Sequence, residues 1–117
     1  MSRRGYARRR DANEPAIVAA LEAAGASVTR LDGAGVPDLL IGYACLTLVA
    51  EVKLPLGPRG GTSQHREAEG GCGDLTRDQV EWHKGWRGEA VTIVRSPEEA
   101  IAMLRAVLLR AVRKALP

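Results

Sequence analysis

Phenylalanine is absent from this 117-residue chain, so leucine, valine, isoleucine and alanine must fill its interior. No apolar run approaches the roughly 20 residues that a membrane-crossing helix needs. Arginines stand near the start, but no apolar segment follows them. The expectation is a chain with no secretory signal and no membrane partner. Cysteine occurs only at Cys45 and Cys72, too little for a disulfide framework or a zinc ligand pattern. A reduced, cytoplasmic setting is the simple expectation. His65, Cys72 and His83 can be imagined as metal ligands, but their spacing matches no common site.

What is present fits one modest domain. A chain of this length buries about two-thirds of the surface it exposes when unfolded. The net charge is only +3, but it is unevenly spread, with Arg3, Arg4, Arg8, Arg9 and Arg10 crowding the first ten residues. Such a run suits neutralisation of DNA phosphates with counterion release. A solvated tail carries the same composition, so the arm alone decides little.

Residues 1–12 read as a basic arm and residues 13–117 as the domain. Asn13 predicts a helix N-cap, with Glu14 and Pro15 in the first turn, and the helix stops near Ala24 at Gly25. Ala26 to Leu31 predicts a strand, and Asp32-Gly33-Ala34-Gly35 a turn. Asp38 to Tyr43 and Leu46 to Lys53 predict two further strands in a hairpin. Residues 54–75 are rich in glycine, proline and polar groups and read as a long loop, of a length that is usually functional or disordered. Thr76 then caps a helix reaching Trp86. Glu89 to Arg95 predicts a fourth strand. Ser96-Pro97-Glu98-Glu99 starts a last helix, which runs to about Lys114. The fold expected is α/β, a mixed sheet of about four strands flanked by helices, in the order α-β-β-β-α-β-α.

Alternation along Leu46–Lys53 puts Glu51 and Lys53 on one face with Thr47 and Val49, and turns Leu46, Leu48, Ala50 and Val52 to the other. If the hairpin is symmetric about Ala44 and Cys45, Gly42 faces Thr47, Leu40 faces Val49 and Asp38 faces Glu51. Opposed side chains have their Cβ atoms about 5 Å apart, where like charges are destabilising. Two such carboxylates must share a proton, find a cation or cost stability. A divalent metal resolves this: Mg²⁺ takes an octahedron of oxygens at about 2.1 Å, often one or two carboxylates with waters and substrate phosphate. The carbonyl of Val52 offers a further oxygen. Lys53, one pleat beyond Glu51, can hold a metal-bound water and offset charge on a pentacovalent phosphate. Taken alone, Glu51 and Lys53 are better read as exposed charges on a half-solvated strand; Asp38 after Pro37 at a matching register is what turns the reading toward function.

Two more residues bear on this centre. Glu14 shares a helical stripe with Ile17, Val18 and Leu21. A carboxylate there is either a partnered buried acid or simply a favourable acid in a first turn. Gln79 follows Thr76 by three residues, the capping-box spacing. It also shares a stripe with Trp82, His83 and Trp86 and can reach the centre. The tryptophans read as core and His83 as a satisfied structural histidine.

Gly35-Val36-Pro37-Asp38 followed by Glu51-Val52-Lys53 resembles the PD-(D/E)XK nuclease superfamily. Leu75-Thr76-x-x-Gln79 with Trp82 is similar to its VRR-NUC branch, and Glu14 fits the same pattern. The resemblance covers about residues 13–100. It implies a restriction-endonuclease-like domain. It implies Mg²⁺ or Mn²⁺ held by Asp38, Glu51 and the Val52 carbonyl with Glu14 nearby, Lys53 activating water and Gln79 assisting. Water would attack phosphorus and leave a 5′-phosphate. Stand-alone members of viral or phage origin act as homodimers on branched DNA such as four-way Holliday junctions. The segment from Leu54 to Asp74 is longer than the usual connection and carries Arg59, His65 and Arg66, candidates for DNA contact.

In the last helix Ile101, Leu104, Leu108 and Val112 form one stripe, enough to cover a sheet. Met103, Val107, Leu109 and Leu116 extend the apolar surface around the axis, which suggests a homodimer. The function expected is a metal-dependent DNA endonuclease acting on branched DNA. A non-catalytic DNA-binding or assembly module that keeps the nuclease fold is the alternative. A protein-partner module using the last helix is a third reading.

Overall fold

A computed structural model describes residues 10–55 and 75–117. Helix α1 spans Glu14–Ala23, strands β1, β2 and β3 span Ser27–Arg30, Leu39–Tyr43 and Leu46–Val52, helix α2 spans Arg77–Gly85, strand β4 spans Thr92–Val94, and helix α3 spans Pro97–Ala115. The sheet order is β1-β2-β3-β4. The first three strands are antiparallel and β4 runs parallel to β3. The α/β mixed sheet and the element order are those the sequence predicts, with strands shorter by a residue or more at their ends. Arg3, Arg4, Arg8, Arg9, Arg59, His65, Arg66 and Cys72 lie outside the described residues, as does most of the 54–75 loop. No helix among the described residues is long and apolar enough to cross a membrane.

The hairpin between β2 and β3 turns on Ala44 and Cys45, with φ of 52° and 66°. Two central residues at positive φ make the backbone of a type I′ turn, which matches the right-handed twist of the strands it joins. This two-residue loop sets the register. Gly42 pairs with Thr47 and Leu40 with Val49, as the symmetric hairpin requires. A slip of one residue would send every side chain of the strand to the opposite face.

One face of the sheet carries the core. Leu39, Ile41, Leu48, Ala50, Val52 and Val94 pack there against Ile17, Val18 and Leu21 of α1 and Ala100, Met103, Leu104 and Val107 of α3. The α3 stripe differs from the expected one. Met103 and Val107 are buried, whereas Leu108 and Val112 are 37% and 48% exposed. The helix is rotated so that the 100-103-104-107 ridge meets α1 and the sheet. At about 1.5 Å per residue its 19 residues outrun the 10-residue α1, so its last turns have no core left to cover.

Asn13 occupies the N-cap position of α1 but makes no side-chain cap bond. Its Nδ2 donates instead to the carbonyls of Lys53 and Arg95, both at 2.9 Å. The start of α1 is thereby tied to the ends of β3 and β4, where the candidate site lies.

Candidate active site

The buried polar or charged residues among those described are Glu14, Asp38, Glu51 and Lys53, at 1, 6, 1 and 4% exposure. Burying a charge is costly unless it is paired and hydrogen-bonded. That the four coincide with the acid–acid–lysine set and its helix acid sets aside the reading of Glu51 and Lys53 as exposed charges. Both sit on the sheet face opposite the core, alongside Val49.

Asp38 lies one residue before β2, after the turn at Gly33 and Gly35. Its carbonyl accepts from the Leu31 amide at 2.8 Å, which pins it at the end of β1. Its Oδ2 accepts from the Val52 amide at 2.7 Å. That bond crosses to β3 beside Glu51, so the hairpin register directly orients the carboxylate. Gly35 has a φ of +76°, and a Cβ there would stand 2.3 Å from the Asp78 carbonyl oxygen. A side chain at this position would push the turn off the first turn of α2.

Gln79 joins helix α2 to this centre. Its Oε1 accepts from the Thr76 amide at 3.0 Å, and its own amide donates to Thr76 Oγ1 at 3.2 Å. That is the complete capping box. The same Oε1 accepts from Lys53 Nζ at 2.9 Å, while Nε2 donates to Glu51 Oε2 at 2.8 Å. Gln79 therefore both caps the helix and reaches the centre. One side chain caps the helix and bridges the ammonium to the carboxylate.

Asp38, Glu51, Val52, Lys53, Thr76, Asp78 and Gln79 line one cleft with Asp11, Gly33 and Gly35, enclosing about 280 Å³. Val52 has its side chain in the core, so its main chain is what it offers the cleft. The donors are hard oxygens, of the kind small divalent ions take, and Mg²⁺ commonly uses only one or two carboxylates and keeps several waters. A water occupies about 30 Å³ in the liquid, so the cleft has room for an ion with much of its hydration. Asp38, Glu51 and the Val52 carbonyl are the oxygens of the cleft that could hold such an ion. Among the described residues, no group of three or more His, Cys, Asp or Glu side chains is arranged to hold a metal.

Glu14 stands apart from the cleft lining. Its carboxylate meets Arg30 Nε at 2.8 Å and Arg10 Nη1 at 3.5 Å. Of the two sequence readings, the partnered buried acid is the one observed. Arg10 itself turns inward. Nη1 lies 3.5 Å from Asp38 Oδ1, and Nη2 donates to the Leu31 carbonyl at 2.8 Å. The last residue of the arginine run thus docks on the acids. Sequence reasoning missed both arginines as partners of these acids: Arg10 lies before α1, where helical spacing does not apply, and Arg30 is one polar residue on a short strand.

Helix α2 buries none of its residues, so Trp82 is not core, and neither is Trp86 just past its end. They stack on each other at 4.9 Å with 22° between planes, and Trp86 is 38% exposed. His83 Nε2 is buried with no hydrogen-bond partner among the described residues and lies 3.9 Å from Glu51 Oε1, so it is not a satisfied structural histidine. Burial, and then the nearby Lys53 charge, lower its pKa below 6.5.

Comparison with protein-family models, with curated proteins and with solved structures found no match to this chain.

Proposed function

We propose that this chain is a metal-dependent DNA endonuclease of the PD-(D/E)XK type, close to the VRR-NUC branch. The observation that carries the reading is the Lys53–Gln79–Glu51 bridge, at 2.9 and 2.8 Å, in the cleft that Asp38 also lines. A purely structural ion pair has no need to place two acids, an ammonium and an amide around one polar opening.

In this reading Asp38 and Glu51 hold Mg²⁺ or Mn²⁺ together with the Val52 carbonyl. The ion would polarise a phosphoryl oxygen and make bound water a nucleophile near neutral pH. Asp38 is kept in orientation by the Val52 amide. Lys53 presents its ammonium to the attacking water and to the charge that builds on phosphorus. Gln79 keeps that ammonium beside Glu51, and Glu14 acts at a distance, through Arg10. Branched DNA is the substrate proposed. A second copy of the chain is the proposed partner, with Leu108, Leu109 and Val112 of the exposed α3 surface and Leu116 just past its end as the face it would cover.

The test is cleavage of linear, nicked, flapped and four-way DNA with Mg²⁺ and with Mn²⁺. Wild type should cut at least one of these, and Asp38→Asn, whose amide oxygen can still accept from Val52, should lose about 100-fold or more in rate while staying folded. No cutting by wild type with either ion refutes the proposal. The balance of Glu14 and Asp38 by Arg10 and Arg30 favours one second reading, a non-catalytic DNA-binding module. There Asp38→Asn would leave DNA binding intact.

A further inference from the structure

Three buried carboxylates, Glu14, Asp38 and Glu51, lie at or beside the cleft. Among the described residues three cations face them. Lys53 reaches Glu51 through Gln79, Arg30 holds Glu14 at 2.8 Å, and Arg10 touches both Glu14 and Asp38 at 3.5 Å. Charges in such surroundings are tolerated when matched, and here the chain's own side chains match them. A divalent ion placed on Asp38 meets a carboxylate whose Oδ1 already faces the Arg10 guanidinium at 3.5 Å, so the two cations contend for it.

Arg10 is the cation placed to withdraw. Its side chain is 22% exposed, whereas Lys53 is buried; Arg30, at 47%, is more exposed but pairs with Glu14 and not with Asp38. Its carboxylate contacts in the cluster are long beside the 2.8 Å of Arg30 to Glu14. Its shorter bonds go to the Leu31 carbonyl and to Asp32, whose side chain is 62% exposed, and water can replace the exposed Asp32 contact at little cost. It also touches Asp38 directly, the residue on which the ion would sit.

We propose that Arg10 is an internal counter-cation of Asp38 in the metal-free protein, and that this guanidinium and a divalent ion compete for the same carboxylate. The inference rests on the nuclease reading of the cleft. Metal binding then requires Arg10 to leave Asp38, and Arg10 stabilises the acids when metal is scarce.

The experiment is a Mn²⁺ titration of the full chain, read by the paramagnetic resonance of the free ion, with thermal melting in the absence of metal. Arg10→Gln should bind Mn²⁺ about 10-fold more tightly than wild type and, without metal, melt several degrees lower. Arg30→Gln removes the same charge from Glu14 and should change Mn²⁺ affinity by less than about 2-fold. Equal tightening in both variants would reduce the effect to overall charge and overturn the competition. Wild-type affinity in Arg10→Gln would also overturn it while leaving the nuclease reading in place. Absence of Mn²⁺ binding in every form would overturn both. If Arg10→Gln does not fold, Arg10→Lys keeps the charge but loses the fork spanning Leu31 and Asp38. Tighter Mn²⁺ binding in it supports the competition, and unchanged binding refutes it.

Discussion

Gln79 donates its side-chain amide to Glu51 at 2.8 Å while the other end of the same amide accepts the cap amide of helix α2. Local helix chemistry and the centre of the cleft therefore depend on one side chain. The dependence can be separated by substitution, because a carboxylate caps as well as an amide but cannot donate.

Gln79→Glu should keep the helix, since glutamate completes a capping box. It should damage the centre, because it sets a second carboxylate against Glu51 and loses the donor. The expected outcome is unchanged helical content by circular dichroism with DNA cleavage reduced about 10-fold or more. Cleavage at the wild-type rate would mean that the bridge has no part in the reaction.

Asn13→Asp distinguishes a cap from a tie. Aspartate is as good an N-cap as asparagine, so a capping role predicts no loss. The structure predicts a loss of about 1–3 kcal/mol, because the substitution removes both donors from the Lys53 and Arg95 carbonyls and puts negative charge against them. Urea unfolding at neutral pH measures the difference. A change within experimental error would show that the two carbonyls find water instead.

For His83 the lowered pKa sets the sign of a pH dependence. Its folded pKa is lowered, by burial first and by Lys53 second. The unfolded chain takes up the proton near 6.5, while the folded protein takes it up only at lower pH. Stability from this group is therefore complete above 6.5 and falls as the pH drops through the interval below it. In metal-free protein, Gln in place of His83 should flatten the fall in melting temperature between neutral pH and mildly acidic buffer. An unaltered slope would assign that pH dependence to other groups.

Much of the fold was readable in the sequence because its signals are local. Asn13, Thr76 and Ser96 stand at the three helix starts. Glycines follow α1 and form the turn ahead of Asp38. Alternation in Leu46–Val52 separates core from cleft. The pairing of Asp38 with the Glu51 region was readable too, because a two-residue hairpin leaves only one register that keeps Leu48 and Ala50 inside. Less was readable where a helix rotates about its own axis. The apolar residues of α3 run around much of its circumference, so periodicity does not say which stripe faces α1.

The sequence by itself determined the element order, the alternating strand and the acidic and basic residues available to a polar centre, since each depends on neighbours within a few positions. Only the tertiary structure decided who partners whom. Arg10 comes to Asp38 across 28 residues and Gln79 to Glu51 across another 28, and Asn13 serves two distant carbonyls instead of its own helix. A charge buried by folding must find a partner wherever the chain happens to pass, and no local pattern records where that is.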